Sequence, residues 1–302
     1  MNSISSLLSR KQTPHAPLET FKQPVPLVKV VAQPIAPGSS SIRYVATGIT
    51  QEAEAILTQL EIPLYIVAFA GFGRSGKSFT ASNIKQHLAP DSNCIFTSAP
   101  GNVPITHGID MMVFRNPKAP GHIIFLDCEG GANHNQSALP FVIGLAARLA
   151  SRMYVFERGC FTTAGLDTVM QVVNMGQTTK SDRSMGMSTE SIVLVENMSI
   201  NQEISNENLL HDLLNEEDGD ETTNRVRQLI KQKFQVEFTK LPFYKGNEDL
   251  HYQICEEIGD RLLENLVPFS VGSVPVGGSL VIQMVNELIS QIRGGGNRYH
   301  SY

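Results

Sequence analysis

Eight consecutive residues, Gly71-Phe72-Gly73-Arg74-Ser75-Gly76-Lys77-Ser78, carry the sharpest chemical signal in the sequence. They fit G-x-x-x-x-G-K-[ST], a spacing with a physical purpose. The glycines let backbone N–H groups curl around phosphate oxygens, the lysine reaches the β- and γ-phosphates, and the final hydroxyl ligates Mg²⁺. The same run also spells G-x-G-x-x-G through Gly71, Gly73 and Gly76, with Asp91 downstream where a dinucleotide fold wants its ribose acid. Asp91, however, lies between Ala89-Pro90 and Ser92-Asn93, a turn context and not a strand end. Lys77-Ser78 has no role in that reading. A nucleoside triphosphate is the favoured ligand, with a dinucleotide or a structural Gly-rich turn as the alternatives.

Phosphate chemistry of this kind also needs an acid near Mg²⁺ and a group that senses the γ-phosphate. The apolar run His122 to Leu126 ends in Asp127-Cys128-Glu129-Gly130. An Asp at the carboxyl end of a strand next to the phosphate loop is placed to hold the ion's water shell. Gly130 offers an N–H that can approach the γ-phosphate with no Cβ in the way. Thr106, in Thr106-His107-Gly108-Ile109, supplies a hydroxyl that could complete the coordination. The metal candidates are therefore Ser78, Thr106 and Asp127. Cys128 has no basic neighbour in sequence and is not read as reactive.

These residues need a rigid frame. Leu64 to Ala70 is continuously apolar, the pattern of a strand buried on both faces of a helix-covered sheet. A helix is expected from Lys77 to about Leu88, and Thr50 can cap another over Gln51 to Leu60. Met111–Phe114 and His122–Leu126 are strands whose short join, Arg115 to Gly121, dictates antiparallel pairing. Strands at Met153–Phe156, Ile192–Val195 and Val236–Phe238 alternate with helices near 140–150, 165–174, 223–234, 247–266 and 278–293. The fold class is α/β: a mostly parallel sheet with one antiparallel strand pair and helices on both faces. Asn201 to Thr223 reads as solvated helix and loop, not a metal cluster.

Residues 1–42 stand apart as a disordered Pro-rich tail, holding Pro14, Pro17, Pro24, Pro26, Pro34 and Pro37. Its Ser-rich, acid-free start with Arg10 and Lys11 leaves a transit peptide open beside a plain flexible tail. The folded domain is expected over 43–295, with 296–302 a short tail. The 24 basic and 29 acidic side chains give a net charge of −5 over 302 residues, which argues against nucleic acid as a partner. No apolar run approaches the roughly 18–20 residues of a membrane span. Position 2 is not Gly and 296–302 holds no lipidation box, so no direct membrane anchor is expected. Scattered Cys94, Cys128, Cys160 and Cys255 suit a reducing, cytoplasmic setting.

Taken together, Gly71–Ser78, Thr-His-Gly-Ile at 106–109 and Asp-Cys-Glu-Gly at 127–130 resemble the guanylate-binding protein and atlastin branch of dynamin-like large GTPases. The resemblance extends through Ala150–Phe156 to Gly277-Gly278-Ser279 and Val285–Ile289, the extent of one P-loop G domain without the helical region that usually follows it. It implies Mg²⁺-dependent GTP binding and hydrolysis, with Arg74 acting as an arginine finger in cis and Lys77 and Thr106 acting on the phosphates. Phosphate contacts fall to Gly71, Gly73, Arg74, Ser75, Gly76, Lys77 and Ser78, joined by Asp127, Glu129 and Gly130. Nucleotide-dependent homodimerisation through the G-domain face is implied as well.

Two departures modify that picture. The family often has a serine where this chain has Pro104, so hydrolysis is expected to be slow. A non-hydrolysing module that uses triphosphate as an assembly signal is the alternative. The family reads guanine with a T-[LV]-R-D motif, whereas here Glu196 and Asn197 occupy the Arg and Asp positions. Asn keeps an acceptor but loses the charge, which predicts relaxed base selectivity.

Overall fold

The apolar run that sequence marks as doubly buried is the central strand of the molecule. The computed structural model describes residues 23–34, 42–97, 108–128, 139–162, 165–166, 168–170, 189–215, 220–271 and 273–294. Strands β1 (Val25–Pro34), β2 (Ile42–Ile49), β3 (Leu64–Gly71), β4 (Gly108–Arg115), β5 (His122–Cys128), β6 (Arg152–Arg158), β7 (Ser191–Asn197) and β8 (Gln235–Leu241) form one sheet. Its order is β2-β1-β4-β5-β3-β6-β7-β8. From β5 to β8 every neighbouring pair is parallel. The expected antiparallel pair is β4 with β5, closed by a turn in which the Asn116 side chain accepts from the amides of Lys118 and Ala119. A small hairpin, β9 (Ser270–Val271) and β10 (Val274–Pro275), stands apart from this sheet.

Alternate residues of β3 face different layers, as the period of two requires. Leu64, Ile66, Ala68 and Ala70 join the core built with α1 (Gln51–Leu57), α3 (Leu139–Leu149), α4 (Asn206–Asn215), α5 (Glu221–Lys233) and α7 (Gly278–Gly294). Tyr65, Val67 and Phe69 join the core built with α2 (Lys77–Leu88) and α6 (Glu248–Glu264). Phe69 centres the second layer, its ring 4.9 Å from Phe125 and stacked 5.2 Å from Tyr154. Helices therefore cover both faces. Thr50 caps α1 as expected, accepting from the Ala53 amide at 3.1 Å.

The N-terminal segment departs from the tail expectation. Val25–Pro34 is not tail but strand β1, which adds two antiparallel pairings, with β4 and with β2. Leu27, Val28 and Val30 are buried in the core. Its prolines are accommodated because each end of β1 pairs on one side only. Pro26 pairs with β4 beside a register shift, and Pro34 pairs with β2 at the last position. Proline density over the whole segment masked this short apolar stretch, so the folded unit begins before residue 43. Among the described residues, no helix is long and apolar enough to cross a membrane.

Candidate functional site

Strand β3 is buried along its whole length and delivers its last residue, Gly71, against β6. Gly71 has φ +125°, and a Cβ there would lie 2.2 Å from the Phe156 carbonyl oxygen. No larger residue fits so close to the neighbouring backbone. The Phe72 amide then donates to that same carbonyl at 3.3 Å, fastening the loop to β6. Inside the loop, the Phe72 carbonyl accepts from Ser75 Oγ at 2.7 Å and Lys77 Nζ at 2.8 Å. Lys77 is 6% exposed, so its ammonium is held over the loop and not in bulk solvent. Gly73 is half-buried in the turn, and Arg74 is exposed with φ +62°, a left-handed conformation uncommon for a residue with a Cβ.

Gly76 ends the loop and caps α2 with φ +85°. A Cβ on Gly76 would meet Asn197 Nδ2 at 2.2 Å. Lys77 and Ser78 thus open a 12-residue helix whose first amides and dipole favour an anion. Ser78 Oγ donates to Asp127 Oδ2 at 2.6 Å. Asp127 pairs in register with Phe69, one strand over, and is 1% exposed. A hydroxyl and a carboxylate oxygen converge here beside the glycine-rich loop, a hard-oxygen donor pair that fits Mg²⁺. Cys128 follows, fully buried, and burial beside the Asp127 carboxylate holds its thiol far above the ordinary cysteine range. It stays a neutral thiol, in keeping with an inert role.

The end of β7 completes the flank opposite Asp127. Asn197 is 4% exposed and donates from Nδ2 to the Ser75 carbonyl at 2.7 Å, while its Oδ1 accepts from the Met198 amide at 3.0 Å. Its amide braces the glycine-rich loop. Met198 has φ +57°, in the same left-handed region as Arg74. Glu196 points to the opposite face, as strand alternation dictates. Its buried carboxylate accepts from the Phe161 amide at 2.9 Å, from Asn201 Nδ2 at 3.1 Å and from Ser199 Oγ. It organises the loops after β6 and β7 and is turned away from the glycine-rich loop. Glu157 lies in register beside it and is similarly held by the Thr162 amide and hydroxyl, at 2.7 and 2.6 Å.

The structure therefore brings together Gly71, Gly73, Arg74, Ser75, Gly76, Lys77, Ser78, Asp127 and Asn197, and separates Glu196 from them. Thr106, Glu129, Gly130 and Pro104 lie outside the described residues. An aromatic group missed in the sequence adjoins the site. Phe79, next after Ser78, packs edge-on to Tyr244 at 4.9 Å and lies 5.4 Å from His251. Tyr244 OH pairs with Tyr252 OH at 2.8 Å, and that bond pushes the Tyr244 phenol up to about 12, so it stays neutral. The signal available was positional: Tyr244 follows the carboxyl end of a parallel strand, where α/β sheets place ligand contacts.

No protein-family model matches the chain. Human guanylate-binding protein 2 is 29% identical over 145 residues, 46% of this chain and 23% of that protein. Human guanylate-binding protein 1 is 28% identical over 140 residues, 44% of this chain and 22% of the relative, and the Pongo abelii protein of that name aligns equally. This chain is similar to guanylate-binding proteins. The match spans less than a quarter of the length of each guanylate-binding protein. The α/β sheet, with its glycine-rich loop between β3 and α2, is consistent with that likeness.

Proposed function

We propose that this chain binds a nucleoside triphosphate, GTP foremost, with Mg²⁺ and hydrolyses its terminal phosphate. The observation that carries the reading is the Ser78–Asp127 hydrogen bond at 2.6 Å, set at the start of the helix that Lys77 opens. A lysine, a helix N-terminus and two hard-oxygen donors within one turn form a combination suited to a metal-bound triphosphate. Ser78 and Asp127 would hold the ion, with Thr106 as the further hydroxyl. Mg²⁺, when bound, supplies charge neutralisation at the phosphate oxygens.

The chain's own groups divide the remaining work. Loop amides from Gly73 to Ser78 bind the phosphate oxygens, and Lys77 leaves the Phe72 carbonyl to contact the β- and γ-phosphates. Arg74, exposed on a strained turn, is placed in the loop itself and can swing onto the transferring group as its charge develops. Gly130 contributes an amide to the γ-phosphate and Glu129 completes the motif beside it. Base selectivity is relaxed, because the residue at the family's Asp position is an uncharged amide already bonded to the phosphate loop.

Phosphate release by the wild type, Lys77→Ala and Arg74→Ala tests this reading. Lys77→Ala should lose nucleotide binding, and Arg74→Ala should bind normally but turn over about 10³-fold more slowly. Unchanged turnover in Arg74→Ala would remove the cis finger. Pro104, with neither hydroxyl nor N–H, favours a second reading in which the chain binds triphosphate without hydrolysis. Binding by the wild type with no phosphate release would select it.

A further inference from the structure

The acid at the end of β5 has a counterpart on the next strand. Strand β4 runs antiparallel beside β5, and Asp110 pairs in register with Asp127. Residues directly opposite in an antiparallel pair share a face, with their Cβ atoms roughly 5 Å apart. That face is the α2 side. Met112 and Phe114, which alternate with Asp110 along β4, lie in the core built with α2, as do Ile123 and Phe125 of β5. Both carboxylates therefore stand on the side where Ser78 Oγ donates to Asp127 at 2.6 Å. The Cys128 thiol registers the same grouping. Burial raises it most, the Asp127 and Asp110 charges raise it further, and the Lys77 charge lowers it, so all three lie within electrostatic reach of one sulfur.

Two carboxylates set opposite each other repel, and like charges at such positions destabilise a sheet. Strand pairing holds them there regardless, because β4 is flanked at Asp110 by Pro26 of β1 and by Asp127 of β5. A small divalent cation in front of the pair turns that repulsion into attraction. Mg²⁺ suits the place, since it keeps several of its own waters and carboxylates beside a metal site accept hydrogen bonds from such groups. Asp110 is half-buried, so ordered water can reach it, whereas Asp127 is 1% exposed.

We infer that Asp110 is a second carboxylate of the metal site, holding the water shell of the triphosphate-bound ion from β4 alongside Asp127 on β5. The inference rests on the triphosphate reading above and extends it: the ion is held from two strands and not one. No motif read in the sequence includes Asp110, and only the antiparallel register brings it to Asp127.

The test is Kd for GTP measured as Mg²⁺ is raised from zero, in EDTA, on the wild type and on Asp110→Asn, a change that keeps the size and removes the charge. Asp110→Asn should need about tenfold more Mg²⁺ to reach its tight-binding form, with GTP affinity in EDTA no weaker than that of the wild type. Without nucleotide and in EDTA, its thermal midpoint should lie above that of the wild type, because the repulsion is gone. An unchanged Mg²⁺ requirement would overturn the inference. So would a midpoint below that of the wild type in EDTA or weaker GTP binding there, either of which marks a residue that supports the fold and not the ion. Wild type that binds no GTP, or binds it indifferently to Mg²⁺, would instead bring down the triphosphate reading, and this one with it.

Discussion

At the scale of single residues, Asn197 does two jobs with one amide. Its Nδ2 holds the Ser75 carbonyl at 2.7 Å and its Oδ1 takes the Met198 amide at 3.0 Å. Removing it leaves a buried carbonyl and an amide without their partners, at about 1–3 kcal/mol each if water cannot reach them. The effect should fall on the shape of the phosphate loop before it falls on the base. Asn197→Ala is therefore predicted to weaken GTP and inorganic tripolyphosphate alike, by about tenfold or more, in titration calorimetry. A loss confined to GTP would return Asn197 to a purely base-reading role. The family resemblance singled out Asn197 in the sequence, and the structure sets its amide against the Ser75 carbonyl. Its partner was not legible, since the contact with Ser75 depends on the order of β3, β6 and β7. Glu196 shows the same limit from the other side. Its place in the sequence suggested the ligand, and strand alternation sends it to the far face.

At the scale of elements, α2 and α6 form the layer that steadies the glycine-rich loop. His251 of α6 sits 1% exposed among Phe79, Tyr244 and Tyr252, with Cys255 Sγ 3.6 Å from its Nδ1. Burial lowers its pKa below the ordinary 6.5, and burial likewise lowers that of His122 at the start of β5. The folded state then binds protons more weakly than the unfolded chain, so stability rises with pH through this window. The contribution is complete above about pH 6.5 and is lost as pH falls through the lower folded value. Thermal midpoints followed from neutral to mildly acidic pH should drop for the wild type and drop less steeply for His251→Gln, with His122 supplying the residual slope. Parallel curves would show that His251 does not titrate on unfolding. The alternation of these elements was readable from apolar periodicity, and α2, β3 and the β4–β5 pair lie where it put them. Strand β1 was hidden because proline was counted over the whole N-terminal segment, while Val25 to Val31 alone carry the apolar pattern.

For the whole molecule, the sheet sets Asp127 at the end of β5 on one flank of β3 and Asn197 at the end of β7 on the other, with the glycine-rich loop between them. We propose that two copies associate through this face when triphosphate is bound, as the resemblance to guanylate-binding proteins and atlastins implies. Sedimentation with a transition-state analogue and Mg²⁺ should show a dimer, and a monomer at every concentration would refute it. We propose that Lys77, Ser78 and Asp127 form a metal-assisted triphosphate site. Its most direct measurement is the GTP affinity of the wild type, Asp127→Asn and Lys77→Ala, titrated with and without Mg²⁺. The account predicts that Mg²⁺ tightens wild-type binding about tenfold or more, equivalent to ~1.4 kcal/mol, that Asp127→Asn loses this gain, and that Lys77→Ala binds neither way. Wild-type affinity indifferent to Mg²⁺, or Lys77→Ala binding as well as the wild type, would contradict it.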